Sequence, residues 1–166
     1  MSLQSSTRHV SLAVAFLVAL CFASPGDLHA QAGLFKPDPH LYSDSANPAT
    51  DISVAIARAT REHKRILLDF GGNWCGDCQV LDIYYHQSPN AELLAKYFIL
   101  VHISIGDSTL NKNRDIAKKY RVPIERGVPA LAVLDSHGRL LYSEREKEFE
   151  HTSGTAITAF LNRWKA

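Results

Sequence analysis

Arg65-Ile66-Leu67-Leu68-Asp69-Phe70-Gly71-Gly72-Asn73-Trp74-Cys75-Gly76-Asp77-Cys78 joins a strand-like run to two cysteines separated by two residues. The apolar run from Ile66 reads as a buried strand. The Gly71-Gly72-Asn73 stretch allows a sharp turn after it. A helix opening at Cys75 would aim its free backbone N–H groups and positive dipole end at that sulfur. The thiolate is then favoured, and the thiolate is the nucleophile. Strand, turn, CxxC and helix together point to thiol–disulfide exchange.

Outward from this stretch, the 166-residue chain is ordinary in composition, with 46% hydrophobic and 21% charged residues. That suits one packed domain and argues against global disorder. A formal net charge of +1 gives no reason to expect nucleic acid as a partner. Toward the N-terminus, Arg8 and His9 precede an apolar run over residues 10–23, then Pro25-Gly26 and Ala30-Gln31-Ala32. Basic, apolar and small-x-small is the order of an export signal. Residues 1–32 are therefore expected to be removed, with Ala30 as the nearby alternative end, and the protein to be secreted or periplasmic. An uncleaved membrane anchor is the competing reading. Lipidation of Cys21 is disfavoured because Leu20, not a small residue, precedes it. Without Cys21 the mature chain keeps only Cys75 and Cys78. No disulfide framework can be built from one pair, so the pair reads as reactive rather than structural.

Residues 33–49 are rich in Pro, Asp and Ser and read as a polar leader or linker, with the domain proper over residues 50–166. The pattern predicts a helix from a Thr50 or Asp51 cap to about residue 63, then the strand over 65–70. A helix follows over 75–85 and a short one over 91–97 capped by Asn90, then a strand over 98–105. A short helix over 114–120, a strand over 128–134 opened by Pro129, a hairpin return over 139–143 and a last helix over 154–165 complete the pattern. Alternating strands and helices followed by a hairpin imply an α/β fold, a central mixed sheet with helices on both faces.

With these elements in place, the chain from about Ile52 to Trp164 resembles the thioredoxin superfamily. Leu67-Leu68-Asp69-Phe70 through Trp74-Cys75-Gly76-Asp77-Cys78 matches that family's active-site stretch, and Gly127-Val128-Pro129 matches its cis-proline loop. The resemblance implies a thioredoxin-like fold and a protein thiol–disulfide oxidoreductase. It implies Cys75 as the attacking sulfur, Cys78 as the resolving thiol and Asp69 as the buried acid beneath it. Burial raises the proton affinity of a carboxyl, which suits Asp69 to take the Cys78 proton. Trp74, Gly76, Asp77, Val128 and Pro129 would line the substrate groove, with Val128 offering backbone to an extended peptide. His102 stands where relatives carry a lysine, and a packed or solvated histidine is expected there. The family's usual Gly-Pro between the cysteines is Gly76-Asp77 here. A carboxylate beside the sulfurs disfavours the thiolate, so the pair is expected to lean reducing.

The expected partners are proteins with disulfides or thiols, with a membrane electron donor to recharge the pair, and the chain is expected to act as a monomer. No cofactor and no metal is expected. Two other functions remain open from the residues. One is a dedicated reductase for a single client such as apocytochrome cysteines. The other is a metal-handling or chaperone module, although two thiols fall short of the four ligands a structural zinc site takes. His86 lies too far along the helix from Cys78 to complete such a site. Residues 122–126 read as a loop insertion before the cis-proline motif, and residues 144–150 as a solvated strand end and loop.

Overall fold

The computed structural model describes residues 37–166. The expected export signal over residues 1–32, Cys21 within it and the first residues of the leader lie outside the described residues.

Helix α1 spans Pro48–Glu62. It starts earlier than the sequence pattern suggests because Asn47, not Thr50 or Asp51, is the cap: its side chain accepts the Thr50 N–H at 3.2 Å. Proline at the first helical position has no N–H to leave unsatisfied there. Strand β1 follows at Arg65–Gly71, helix α2 at Gly76–Tyr85, helix α3 at Asn90–Tyr97 and strand β2 at Phe98–Ser104. Helix α4 at Arg114–Lys119 leads to a single 3₁₀ turn at Ile124–Arg126. Strands β3 at Ala130–Leu134 and β4 at Leu140–Ser143 form a hairpin, and helix α5 at Gly154–Trp164 closes the chain. The third strand begins two residues later than expected. Pro129 carries no N–H for the ladder, so pairing opens with Ala130 opposite Phe70.

The sheet order is β2-β1-β3-β4. β1 runs parallel to β2, from Arg65 opposite Phe98 to Gly71 opposite Ser104. β1 runs antiparallel to β3, and β3 antiparallel to β4. This is the mixed sheet expected from the element order, with β1 at its centre. Alternation along β1 divides the core in two. Ile66, Leu68 and Phe70 pack with Ile52, Ala55 and Ala59 of α1 and with Ile116 and Ala117 of α4. Leu67, with Leu131 and Val133 of β3, packs with Leu81 and Tyr85 of α2, Leu94 of α3 and Ile157 and Leu161 of α5. Each leucine, isoleucine or phenylalanine among them contributes about 2 kcal/mol of hydrophobic stabilisation when fully buried. Both covered faces hold β1 rigidly, and β1 delivers the CxxC turn at its C-terminal end.

Two segments differ from their sequence reading. Residues 122–126 are not a free loop, because Val122 and Ile124 are buried in the core. The segment read as a polar leader or linker is docked on the domain from Asp38 onward, with Tyr42 fully buried. Its Pro, Asp and Ser content hid this, since one aromatic anchor leaves no periodic signal.

Candidate functional site

Cys75 and Cys78 are joined by a disulfide, their Cα atoms 5.3 Å apart. Cys75 is the N-cap of α2, and its sulfur accepts the Cys78 backbone N–H at 3.1 Å. A helix start presents free N–H groups, so negative charge on that sulfur would be stabilised where it sits. Cys75 keeps 6% exposure and Cys78 none. An incoming reagent therefore meets Cys75 first. The Val128 carbonyl oxygen lies 3.4 Å from the Cys75 sulfur, and the Val128–Pro129 peptide bond is cis.

Trp74, Gly76 and Asp77 flank the cysteines along the chain, and Val128, before Pro129, reaches Cys75 through its carbonyl. Trp74 is half exposed, and its indole N–H donates to the Gly106 carbonyl at 2.9 Å, which pins the ring over the loop after β2. Gly76 faces open space: a Cβ built there meets nothing within 4 Å. Asp77 points to the loop before α5, where its carboxylate accepts the His151 backbone N–H at 3.3 Å and lies 3.3 Å from the His151 ring nitrogen. Part of its charge is thus engaged away from the sulfurs.

Asp69, on β1, has no exposure. The Tyr42 hydroxyl donates to its Oδ2 at 3.0 Å, and His102 Nδ1 lies 3.0 Å from the same oxygen. The parallel register sets Asp69 opposite His102, which places the two side chains together. His102 Nε2 lies 3.8 Å from Asp82 Oδ1 on α2. His102 is therefore more than a packed or solvated histidine: its two ring nitrogens face the carboxyl groups of Asp69 and Asp82. Burial pulls its proton affinity down, yet the Asp69 hydrogen bond and charge, with the Asp82 charge, outweigh this and shift it upward from 6.5. Burial likewise raises Asp82 above its ordinary value, against the opposing pull of His86 and His102. Tyr42 is held as the phenol, by burial first and then by the Asp69 charge.

The segment after β4 is also more than a solvated loop. Glu144 is buried, and its carboxylate accepts the Leu131 N–H at 3.0 Å and the Glu148 N–H at 2.7 Å. Burial raises its value from 4.5 to about 7, against the lowering by these N–H bonds. Phe149 is buried, and Lys147 and Glu150 close over Gly127, beside Val128. The segment therefore packs beside the loop that carries Val128 and Pro129.

These shifts fix the sign of a pH effect on stability. Asp82, His102 and Glu144 each have a folded-state value raised above the ordinary one, so each keeps its proton to higher pH in the native state than in the unfolded chain. For such groups the stabilisation is present below the ordinary value and is lost as pH rises through the folded one. Urea unfolding should therefore show stability falling by about 2 kcal/mol between roughly pH 5 and pH 8. A protein more stable at the higher pH would contradict this protonation pattern.

Tyr42, Asn73, Gln79 and Asp82 were not among the residues singled out from the sequence. His102 was singled out, but its pairing with Asp69 follows from the parallel register of β1 and β2. Tyr42 offered no signal of its own.

Comparison with known proteins follows the same lines. A family profile described as thioredoxin-like matches residues 47–136. A disulphide isomerase structure from Xylella fastidiosa Temecula1 superimposes with a TM-score of 0.69 at 33% identity, covering 74% of this chain and 95% of the other. A protein disulfide-isomerase of Triticum aestivum is 33% identical over 81 residues, 49% of this chain and 15% of its own length. The thiol:disulfide interchange protein DsbD of Klebsiella pneumoniae is 24% identical over 127 residues, 76% of this chain and 20% of its own length. The chain thus spans a fifth or less of the length of these curated relatives.

Proposed function

The chain belongs to the thioredoxin-like family, and on that premise we propose that it is a protein thiol–disulfide oxidoreductase acting through Cys75 and Cys78. The observation that carries this reading is the Cys75–Cys78 disulfide at the start of α2, with the less buried sulfur capping the helix beside Val128. In the reduced protein, the Cys75 thiolate attacks one sulfur of a substrate disulfide. That S–S bond breaks, one substrate thiolate leaves, and a mixed disulfide forms at Cys75. Cys78 then gives its proton to Asp69 and attacks the Cys75 sulfur. The bond to substrate breaks, the second substrate thiolate leaves and is protonated, and the Cys75–Cys78 disulfide is the product.

Trp74, Gly76, Asp77, Val128 and Pro129 form the groove that receives the client, with the Val128 backbone available for strand-like pairing. The substrates are protein disulfides, and the direction is reductive. A donor dithiol, in an oxidising compartment most simply that of a membrane protein, regenerates the pair. Residues 1–32 act as the export signal that brings the domain to the periplasm or outside the cell. No helix among the described residues is long and apolar enough to cross a membrane.

Cys78→Ser tests the reading. Without a resolving thiol the mixed disulfide can be released only by an external thiol. Non-reducing gels of cells expressing this variant should show protein adducts that disappear on reduction and are absent from the Cys75→Ser/Cys78→Ser double variant. No adducts, with Cys75 shown to react with a small alkylating reagent, would remove protein disulfides as the substrate class.

A further inference from the structure

The docked segment before α1 is held by side chains that bracket the two cysteines. Asn73, two residues before Cys75, accepts the Tyr42 N–H at 2.9 Å and donates to the Tyr42 carbonyl at 2.9 Å. Gln79, next to Cys78 and buried, accepts the Asp38 N–H at 2.8 Å and donates to the Asp38 carbonyl at 2.9 Å. Each carboxamide thus pairs with the backbone of one residue of the segment as another strand would. A surface tether needs no such bonds. Their effect is to set the Tyr42 phenol in one place.

That place is beside the resolving sulfur. A Cβ built on Gly71 would lie 2.5 Å from the Tyr42 hydroxyl oxygen and 2.9 Å from the Cys78 sulfur, so both atoms border the same point. The hydroxyl donates to Asp69 Oδ2, the oxygen His102 also holds. Asp69 Oδ1 is left without a hydrogen-bond partner. Among the described residues only Asp82 Oδ1 and the Tyr85 hydroxyl share that condition among buried side-chain atoms. An unpartnered buried carboxylate oxygen is costly, and here it is the atom free to take a proton.

We propose that Tyr42 is a positioning residue for the resolving step: with His102 it locks Asp69 through Oδ2 and leaves Oδ1 open to receive the Cys78 proton. The segment Asp38 to Tyr42 is then part of the active site and not a linker to it. The inference rests on the exchange reading above. It adds a residue from outside the CxxC and proline motifs and gives the docked segment a task. The groups facing Asp69 are Tyr42 from this segment, His102 from β2, and Asp82 and Tyr85 from α2, with Glu144 after β4 acting on Tyr85.

The experiment follows the full chain, reduced and carrying Cys21→Ser throughout so that only Cys75 and Cys78 react, as it meets dithiobis(nitrobenzoate). Attack by Cys75 releases one thionitrobenzoate and leaves the other bound to Cys75. Attack by Cys78 on that mixed disulfide releases the second. The two phases separate the nucleophile from the resolving thiol. Tyr42→Phe keeps the ring and removes the hydroxyl that holds Asp69 Oδ2, so Oδ1 is no longer fixed for the proton of Cys78. The second phase should slow about tenfold, with the first phase unchanged. The slowing should vanish in an Asp69→Asn background, because Tyr42 acts through Asp69. Should Tyr42→Phe fail to fold, Asn73→Ala frees the Tyr42 backbone and leaves its phenol, and a smaller slowing of the second phase is expected. Two equivalents released by the Cys21→Ser parent, with an unslowed second phase in the variant that folds, would overturn this inference alone. So would both phases slowing alike. A single equivalent from the Cys21→Ser parent would overturn the exchange reading and this one with it.

Discussion

Replacing Cys75 by serine should reduce the catalysed reduction of insulin disulfides by dithiothreitol to the uncatalysed background, a loss of roughly a thousandfold or more. The size of the effect follows from chemistry: a serine hydroxyl is not ionised near neutral pH, whereas a helix-capping thiol is stabilised as its anion. The structure makes the effect specific to this sulfur. Cys75 accepts the Cys78 N–H at the start of α2 and keeps 6% exposure, while Cys78 has none. Cys78 cannot take over the attack without the helix opening. Cys78→Ser should therefore still form the first covalent adduct, although it does not turn over. Insulin turbidity compared across the unmodified protein and the two variants checks this. Appreciable activity in Cys75→Ser would remove Cys75 from the nucleophile role.

Gly71→Ala should be strongly destabilising. Gly71 ends β1, and the space where its side chain would stand is filled by the Tyr42 phenol and the Cys78 sulfur. A Cβ there would lie 2.5 Å from the Tyr42 ring and 2.9 Å from Cys78 Sγ. Neither neighbour can give way. Tyr42 is held by Asn73 and Asp69, and Cys78 is fixed in its helix. Overpacking of this kind costs about 2–3 kcal/mol, which is a fall of about 10 °C in Tm for a domain of this size. Thermal melting of the oxidised protein checks the value. Gly76→Ala is the internal control, because its Cβ would enter open space and should leave Tm within about 2 °C. Equal effects of the two substitutions would mean that Tyr42 does not occupy the place described.

The pH slope expected from Asp82, His102 and Glu144 has one sign. All three have folded-state values raised above the ordinary ones, so stability is expected to be higher at mildly acidic than at alkaline pH.

Sequence alone was sufficient for what is local. The apolar run over 65–70, the glycine turn, the cysteines at a helix start and the proline before a strand each carry their meaning within a few residues. Torsional preference and hydrogen-bond chemistry act over that range. The mixed sheet followed as well, because the order of strands and helices admits few topologies. The limits of elements were less legible. Asn47 took the cap from Thr50 because a proline followed it, and β3 began at Ala130 because Pro129 could not pair. What only the tertiary structure decided is the surroundings of Asp69. Tyr42 and His102 lie 27 and 33 residues away from it in sequence and meet it on one oxygen. His102 arrives there by the parallel register of β1 and β2, and Tyr42 by the pairing of two carboxamides with the backbone. Glu144 is buried in a stretch whose composition is that of a solvated loop. In each case a polar residue is buried by partners distant in the chain. Its environment is a property of packing, which composition and periodicity do not encode.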